Sequence, residues 1–210
     1  MNHMCTELHQ VVNGKTRYHF PYNHKENPKN GIYFLFEKGE EGHAGDRIVR
    51  IGTHTGVNQL RSRLRQHFVR EQKDRSIFRK NIGRCVLNHS DDPYLEIWDF
   101  DCTSSEGKAK YGHLLLPQYQ FRIEASVTQY IQDYFSFCVL ELAEKNDRLY
   151  FESRLISTVS NCSECKPSRN WFGHNSPSVK IRESGLWQVN ELYKESLTTE
   201  ELNRLTRLIQ

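Results

Sequence analysis

The sequence lacks any long hydrophobic run. No apolar stretch in its 210 residues approaches the roughly 18 residues that a membrane-spanning helix requires. The first ten residues have neither the charged region nor the apolar region of a secretory signal. The mean hydropathy is low, at −0.74. These absences argue against a membrane partner, and we expect a soluble protein of the cytoplasm.

Several catalytic signatures are also missing. The sequence contains no internal repeat, no low-complexity tract and no glycine-rich loop of the kind that cradles nucleotide phosphates. It has no serine on a nucleophile elbow, which is typical of α/β-hydrolases. The sequence therefore disfavours both P-loop nucleotide chemistry and serine-hydrolase chemistry.

A regular cysteine pattern is also absent, since the six cysteines are irregularly spaced. In a cytoplasmic chain of this size, that pattern indicates reduced thiols rather than a disulfide framework. Cys162 and Cys165 form a single C-x-x-C pair. Zinc needs four ligands, and the sequence offers only His174 and the distant Cys138 to complete them. It therefore favours free thiols over a zinc site.

The distribution of charge is uneven, although the net charge is only +3. The segment from Arg61 to Arg84 contains nine of the 29 basic residues and two of the 26 acidic residues. The rest of the chain therefore has 20 basic and 24 acidic residues. A cationic segment on a neutral-to-acidic body is typical of a polyanion-binding face. A solvated basic helix has the same composition, and charge alone does not separate the two.

Hydrophobic patterning predicts a mixture of strands and helices. β-Branched and aromatic runs predict strands at 31–37, 47–52, 94–98 and 135–142. Apolar residues at helical spacing predict helices from about Asn58 to 68 and at 78–86, 123–134, 147–159 (capped by Asp147) and 198–208. Turn-forming residues predict irregular structure at 1–30, 38–46 and 161–180.

The order of these elements indicates an α+β fold. We expect a small central antiparallel sheet of about three strands flanked by helices, because short connections join antiparallel strands. The expected organisation is an irregular segment at 1–30, a core at 31–160 with an insertion at about 72–120, and a loop-rich and helical C-terminal extension at 161–210.

Three polar residues fall at informative places on these elements. Tyr33 faces the opposite side of its strand from Ile32 and Phe34. Arg63 and His67 are four residues apart, so they share one face of a helix. Such a tyrosine and such a pair can converge on one phosphate. A structural tyrosine beside a surface arginine would have the same spacing, and the spacing does not decide between them.

Three motifs in order resemble the signature of the GIY-YIG nuclease superfamily. They are Gly31-Ile32-Tyr33, Arg50-Ile51-Gly52 and the run LRSRLRQHF at 60–68. The run is similar to the corresponding segment of bacterial excision-repair nucleases, and homing and restriction endonucleases share the same core. The family also requires a glutamate on a later helix, which Glu152 matches. Arg50 stands where the family usually has a tyrosine.

The resemblance implies hydrolysis of a DNA phosphodiester with one divalent cation, Mg²⁺ or Mn²⁺. Tyr33 would be the general base, directly or with His67 as a relay. Arg63 would neutralise charge on the non-bridging oxygens, and Glu152 would hold the metal. Arg50 would supply a permanent cation in place of a phenol, which either varies the chemistry or marks its loss.

The resemblance makes the cationic segment a docking surface for DNA, with six expected contacts at Arg61, Arg65, Arg70, Lys73, Arg79 and Lys80. Further stretches at 76–83, 170–173 and 181–187 resemble a bacterial subgroup. Cleavage of both strands by one active site per chain calls for a homodimer on DNA or for sequential nicks. The self-contained length favours a restriction or defence role. Two other functions stay open: a repair nickase and a binding module with lapsed catalysis. An amide that assists the site is also open, with Asn161, Asn170 and Asn175 as candidates.

Overall fold

A computed structural model describes residues 2–208 of the chain. In this part, four strands form one antiparallel sheet in the order β1-β4-β2-β3. The strands are β1 (Tyr18–His19), β2 (Gly31–Gly42), β3 (Gly45–Gly52) and β4 (Phe135–Glu141). The predicted α+β class is confirmed, with four strands in place of about three.

Helices cover both faces of the sheet. Within residues 2–208 they are α1 (Asn2–Asn13), α2 (Leu60–Phe68), α3 (Ile77–His89), α4 (Tyr94–Trp98), α5 (Ser105–Tyr111), α6 (Pro117–Tyr134), α7 (Lys145–Ser160), α8 (Val179–Ser184) and α9 (Thr199–Leu208). None of the helices in this described part is long and apolar enough to pass through a bilayer.

Strand β2 is central, since it pairs with β3 on one side and β4 on the other. Its side chains alternate between two hydrophobic clusters. Ile32 and Phe34 pack with residues of α1 and α7 on one face. Tyr33 and Leu35 pack with residues of α2, α3 and α6 on the other face. The predicted orientation of Tyr33, away from Ile32 and Phe34, is therefore confirmed.

The N-terminal segment is more ordered than the sequence predicts. Residues Asn2–Asn13 form α1, so the prediction of irregular structure at 1–30 is wrong for this part, while Met1 lies outside the described residues. Cys5, Leu8 and Val12 recur at helical spacing and are fully buried against the sheet. A 12-residue helix is marginal by itself, and this burial stabilises it.

The predicted strand at 94–98 is wrong, because these residues form α4. Tyr94 and Trp98 are four residues apart and both are buried, which fits one face of a helix. Trp98 packs where a side chain at Gly83 would collide with its indole, and its Nε1–H donates to the carbonyl of Lys80 at 3.0 Å. Aromatic and β-branched residues favour strands locally, and packing against α3 overrides that preference.

Three element boundaries also differ from the prediction. The hairpin of β2 and β3 is longer than expected, since only His43 and Ala44 separate the strands, both with positive φ. Helix α7 begins at Lys145 with Glu144 as its N-cap, so Asp147 lies in the first turn and not at the cap. The predicted loop at 161–180 contains a short 3₁₀ turn, Phe172–Asn175, and the start of α8.

The C-terminal extension docks on the sheet through a buried carboxylate. Glu37 of β2 accepts hydrogen bonds from Nε1 of Trp171 at 2.7 Å and Nε1 of Trp187 at 2.8 Å, and also from the Tyr130 hydroxyl. Burial raises the pKa of Glu37, and these three donors oppose the shift. The backbone N–H of Trp187 donates to the carbonyl of Val49 at 2.8 Å. Residues after 186 therefore run beside β3, although the division into three regions stays a prediction.

Candidate active site

The tyrosine of the first motif contacts the histidine of the third. Tyr33 on β2 and His67 on α2 are fully buried, with Oη of Tyr33 2.8 Å from Nε2 of His67. Nδ1 of His67 is 2.7 Å from Oγ of Ser76. A neutral imidazole has one donor and one acceptor nitrogen, so His67 can connect the two hydroxyls. Burial lowers the pKa of His67 well below its usual value, assisted by the positive charges of three residues, Arg63, Arg50 and Arg79.

The glycine of the second motif leaves space for the Tyr33 hydroxyl. Gly52 lies opposite Tyr33 in the sheet, and a Cβ atom on it would be 2.3 Å from Oη of Tyr33. The next residue, Thr53, donates its backbone N–H to Oε1 of Glu152 on α7 at 2.9 Å. The end of β3 therefore brings Tyr33 and Glu152 together, although they are far apart in the sequence.

A cleft of about 460 Å³ opens beside this strand end. Its charged lining consists of Arg50, Arg63, Glu152 and Glu191. Arg63 donates to Oε1 of Gln66 at 3.2 Å and to the carbonyl of Arg75 at 3.1 Å, and it also lines a neighbouring cleft of about 290 Å³. Within residues 2–208, neither Arg50 nor Arg63 has a carboxylate at ion-pair distance. Both guanidinium groups are therefore available to an anion in the cleft.

Arg50 lies in the wall of the cleft. It is 6% exposed, and its Nη1 donates to the carbonyl of Trp187. Its Nε is buried without a hydrogen-bond partner, and the guanidinium carbon lies 5.5 Å from the centre of the Phe78 ring. A guanidinium without a carboxylate partner in the wall of a cleft is suited to a phosphate oxygen. The sequence departure from the family motif thus falls at the candidate site itself.

The pKa of Glu152 is subject to opposing effects. Burial raises its pKa, the Thr53 N–H and the positive charges of Arg50 and Arg63 lower it, and Glu191 raises it further. Glu191 accepts from the Ser153 hydroxyl at 2.5 Å and from Lys194 at 2.8 Å. Both carboxylates line the cleft, and Glu191 has a positive φ of 63°. Strained backbone of this kind is concentrated at functional sites.

The amide groups of the cleft were not predicted. Asn81 of α3, Gln188 and Asn190 line it, and Nδ2 of Asn81 is buried without a partner. The three amides that the sequence suggested, Asn161, Asn170 and Asn175, do not line the cleft. Asn161 donates to the carbonyl of Lys194, and Asn175 contacts α3 and the 3₁₀ turn. No sequence signal marked Asn81, because its role depends on where α3 packs.

Half of the predicted DNA contacts are not displayed at the surface. Lys73, Arg79 and Lys80 are buried, and each forms an ion pair, with Asp74 for the two lysines and Glu124 for Arg79. A buried paired cation is not free to meet a phosphate, so contacts of these three residues with DNA stay a prediction that requires their ion pairs to open. Arg65 and Arg70 are exposed as expected. Arg61 is half-buried and donates to backbone carbonyls of the segment before β2.

The cleft residues fit a hard divalent cation. Among residues 2–208, the Glu152 carboxylate accepts a hydrogen bond from the Thr53 N–H and has no ion-pair partner, so it keeps acceptor capacity toward the cleft. A second carboxylate, Glu191, lies in the same lining. Oxygen ligands with a low ligand count are typical of Mg²⁺ or Mn²⁺ sites that retain water.

Comparison with known proteins returns one family. The family model described as the GIY-YIG domain matches residues 1–210. No curated protein and no solved structure matches the chain. The match extends over the full length and includes the strands and helices that carry Tyr33, Arg63 and Glu152. This chain belongs to the GIY-YIG nuclease superfamily.

Proposed function

We propose that this nuclease is a DNA endonuclease that hydrolyses phosphodiester bonds with one divalent cation, Mg²⁺ or Mn²⁺. The observation that carries the proposal is the convergence of Arg50, Arg63 and Glu152 on one cleft. Tyr33 and His67 lie directly behind Gly52 at the same strand end. A cationic cleft beside a carboxylate suits a polyanion and its counterion.

Tyr33 is the proposed general base. When Tyr33 takes a proton from the attacking water, His67 can accept the phenol proton through the 2.8 Å contact, while its Nδ1–H donates to Ser76. The lowered pKa of buried His67 keeps the ring neutral at rest, with Nε2 free to accept the hydrogen bond of Tyr33; because it also disfavours an imidazolium, His67 serves as a relay and not as the final proton store. Tyr33 is fully enclosed in the DNA-free chain. The proposal therefore requires that substrate binding open the strand end at Gly52 enough to admit one water.

Arg63 and Arg50 are the proposed phosphate ligands. Both point to the cleft without a carboxylate partner among the described residues, so neither must break an ion pair when DNA arrives. Their charges would offset the charge that grows on the non-bridging oxygens in the transition state. Asn81 is proposed as an additional donor, because the residue lies in the cleft wall and its buried amide nitrogen has no hydrogen-bond partner within residues 2–208.

Glu152 is the proposed metal ligand, and Glu191 lies close enough to contribute through water. A divalent cation here would stabilise the leaving oxygen of the phosphodiester. Glu152 must be ionised to bind it, and the Thr53 N–H favours the ionised form. The short link through Thr53 also fixes the carboxylate relative to Gly52 and Tyr33.

The test compares cleavage of supercoiled plasmid by wild-type protein, Glu152→Gln and Tyr33→Phe, in Mg²⁺ and in Mn²⁺. We expect each variant to lose about 10²- to 10⁴-fold in rate, the range for removal of a catalytic base or a charge stabiliser. Both should keep the wild-type melting temperature within a few degrees and bind DNA. Glu183→Gln, an exposed carboxylate on α8, is the matched control and should cleave normally. Cleavage by Glu152→Gln at the wild-type rate would falsify the assignment.

A second candidate is a DNA-binding module with lapsed catalysis, and the observation that favours it is Arg50. A tyrosine there would offer a neutral phenol, whereas Arg50 is a permanent cation held by Trp187. The variant Arg50→Tyr separates the two. Wild type that binds without cutting in either metal, together with a gain of cutting in Arg50→Tyr, would establish the lapsed module.

The biological setting that we propose is restriction or defence, and a repair nickase is the alternative. The products distinguish them. Discrete linear fragments would indicate site-specific restriction, whereas accumulation of nicked circles would indicate a nickase. A rate of linearisation that rises with the square of protein concentration would support a homodimer on DNA, because each chain contributes one cleft.

A further inference from the structure

A second group of metal-type ligands shares no residue with the lining of the candidate active-site cleft. It consists of Cys5, His9, His43, Cys162 and Cys165, which we call the thiol–imidazole cluster. Its cysteines belong to the hydrophobic cluster that excludes Tyr33. Three separate parts of the chain supply the ligands: α1, the turn between β2 and β3, and the C-x-x-C pair after α7.

The donor atoms are close enough to share one ion. Donor atoms of Cys5, His9, His43 and Cys165 all lie within 4.8 Å of one another. Sγ of Cys162 is 3.3 Å from Nε2 of His43, and both Cys162 and Cys165 hydrogen-bond to the Cys5 thiol. With zinc bonds of about 2.3 Å to sulfur and 2.0–2.1 Å to nitrogen, tetrahedral ligands lie roughly 3.5–3.8 Å apart. The observed spacing approaches that arrangement.

The ring nitrogens of His9 and His43 have different hydrogen-bond partners. Nε2 of His9 accepts from the backbone N–H of Ile48 at 3.2 Å, and Nδ1 is 2.8 Å from the carbonyl of Cys5. A backbone N–H only donates and a carbonyl only accepts, so the proton of His9 is on Nδ1; its Nε2 lone pair faces both the Ile48 N–H and the Cys165 sulfur, which lies 3.5 Å away. His43 instead directs Nε2 at the Cys162 sulfur, with Nδ1 2.9 Å from the Thr6 hydroxyl.

We propose that the thiolates of Cys5, Cys162 and Cys165 and Nε2 of His43 bind one structural zinc ion. Three sulfurs and one imidazole form a ligand set typical of structural zinc. Thr6 then acts as the outer partner that orients the His43 ring, as metal-bound histidines usually require. His9 packs against the site and holds the backbone of Ile48 without ligating the ion.

Burial indicates a structural role for this ion. The side chains of Cys5, Cys162 and Cys165 are at most 1% exposed, and that of His43 is 4% exposed. A closed tetrahedral site leaves no position for a substrate or a reactive water. The ion would join α1 and the hairpin turn to the segment that begins the C-terminal extension. That extension continues to Gln188 and Glu191, which line the cleft.

The decisive measurement is the metal content of the full-length wild-type protein, purified without a polyhistidine tag and analysed by mass spectrometry for zinc and iron. We expect about one zinc per chain, released when a mercurial reagent blocks the thiols. We also expect Co²⁺ to replace it and give the intense visible bands of tetrahedral cobalt with a thiolate charge-transfer band in the near ultraviolet. These readouts require no variant and no nuclease activity.

Variants identify the ligands. Cys165→Ser, Cys162→Ser and His43→Gln should each lose most of the zinc, whereas His9→Gln should retain it. Cys138→Ser is the matched control, because Cys138 is equally buried in the same hydrophobic cluster but lies outside the thiol–imidazole cluster. Absence of bound zinc from the wild type, combined with no uptake of Zn²⁺ or Co²⁺ by the reduced protein, would overturn the proposal. So would iron in place of zinc, or zinc lost from His9→Gln and kept by His43→Gln.

Discussion

At the residue scale, His67 shows how the fold controls a protonation state. The ring is fully enclosed between β2, α2 and α3, where it contacts Tyr33 and Ser76. Three arginines from α2, β3 and α3 surround it, so desolvation and positive charge both oppose protonation. The same neutral ring that suits a proton relay is therefore a group that resists acid.

The lowered pKa of His67 makes the free energy of unfolding depend on pH. An unfolded histidine has a pKa of about 6.5, and that of folded His67 is lower. Below pH ~6.5 the unfolded chain binds the proton and the folded chain does not, so stability falls as pH falls, by up to about 1.4 kcal/mol per pH unit from this group. Above that pH its contribution is fully present.

We expect urea unfolding at pH 7.5, 6.5 and 5.5 to show this slope in wild type and a shallower slope in His67→Gln. The variant should be less stable at pH 7.5, because it loses a buried ring and its hydrogen bonds. Ile82→Val is the matched control: it lies in the same hydrophobic cluster and should cost roughly 0.5–1.5 kcal/mol at every pH. Parallel pH profiles for wild type and His67→Gln would contradict the assignment.

At the element scale, the ion pair between α3 and α6 explains why part of the basic segment is internal. Arg79 is fully buried, and its Nη2 lies 2.8 Å from Oε2 of Glu124 and 2.7 Å from the Thr128 hydroxyl. Nη1 donates to the carbonyl of His67 at 3.1 Å. One guanidinium therefore joins α2, α3 and α6 behind the candidate site.

Removal of one member of this pair should be costly. We expect Glu124→Ala to reduce the free energy of unfolding by about 3–5 kcal/mol, because it leaves the Arg79 charge buried and unpaired. The double variant Arg79→Met with Glu124→Leu should recover part of the loss, since apolar residues of similar size replace both charges.

The control for this prediction is Asp99→Ala, which removes the partly exposed partner of Arg84 and should cost less than about 1 kcal/mol. Both measurements use urea unfolding monitored by circular dichroism. Equal destabilisation by Glu124→Ala and Asp99→Ala would show that burial does not set the strength of these pairs.

Elements with regular patterning could be predicted from the sequence, and those defined by tertiary contacts could not. The strand that carries Tyr33 and the helix that carries Arg63 have strong local patterns and were predicted. Helix α1 and helix α4 were missed, because their apolar residues are informative only once the sheet and α3 are in place. The wall of the cleft at Gln188 was missed for the same reason.

At the scale of the whole molecule, fewer of the basic residues at 61–84 are free of an acidic partner than the sequence suggests. Four of the nine basic residues at 61–84 are paired with the carboxylates of three residues, Asp74, Asp99 and Glu124. The five that have no carboxylate partner within residues 2–208 are Arg61, Arg63, Arg65, Arg70 and Arg75. We therefore propose that docking of DNA depends on these arginines.

We expect the logarithm of DNA affinity to fall with the logarithm of salt concentration at a slope near −4.5, if each of the five arginines meets one phosphate. Arg65→Ala should reduce that slope by about 0.9 and weaken binding to all duplexes alike. Lys108→Ala is the control, since Lys108 is an exposed cation on α5 outside this segment, and should leave the slope unchanged. Binding titrations of a fluorescent duplex at several salt concentrations measure both; an unchanged slope in Arg65→Ala would remove it from the docking surface.

The sequence by itself determined the family and the α+β class, because both depend on local order along the chain, whereas the roles of Tyr33, Arg63 and Glu152 stay a prediction. Tertiary structure alone decided which cations are buried and which amides line the cleft. It also decided that Cys162 and Cys165 meet Cys5 and His43 rather than His174 and Cys138. The reason is physical: burial, ion pairing and ligand geometry depend on distances between segments that are remote in sequence, and no local pattern encodes those distances.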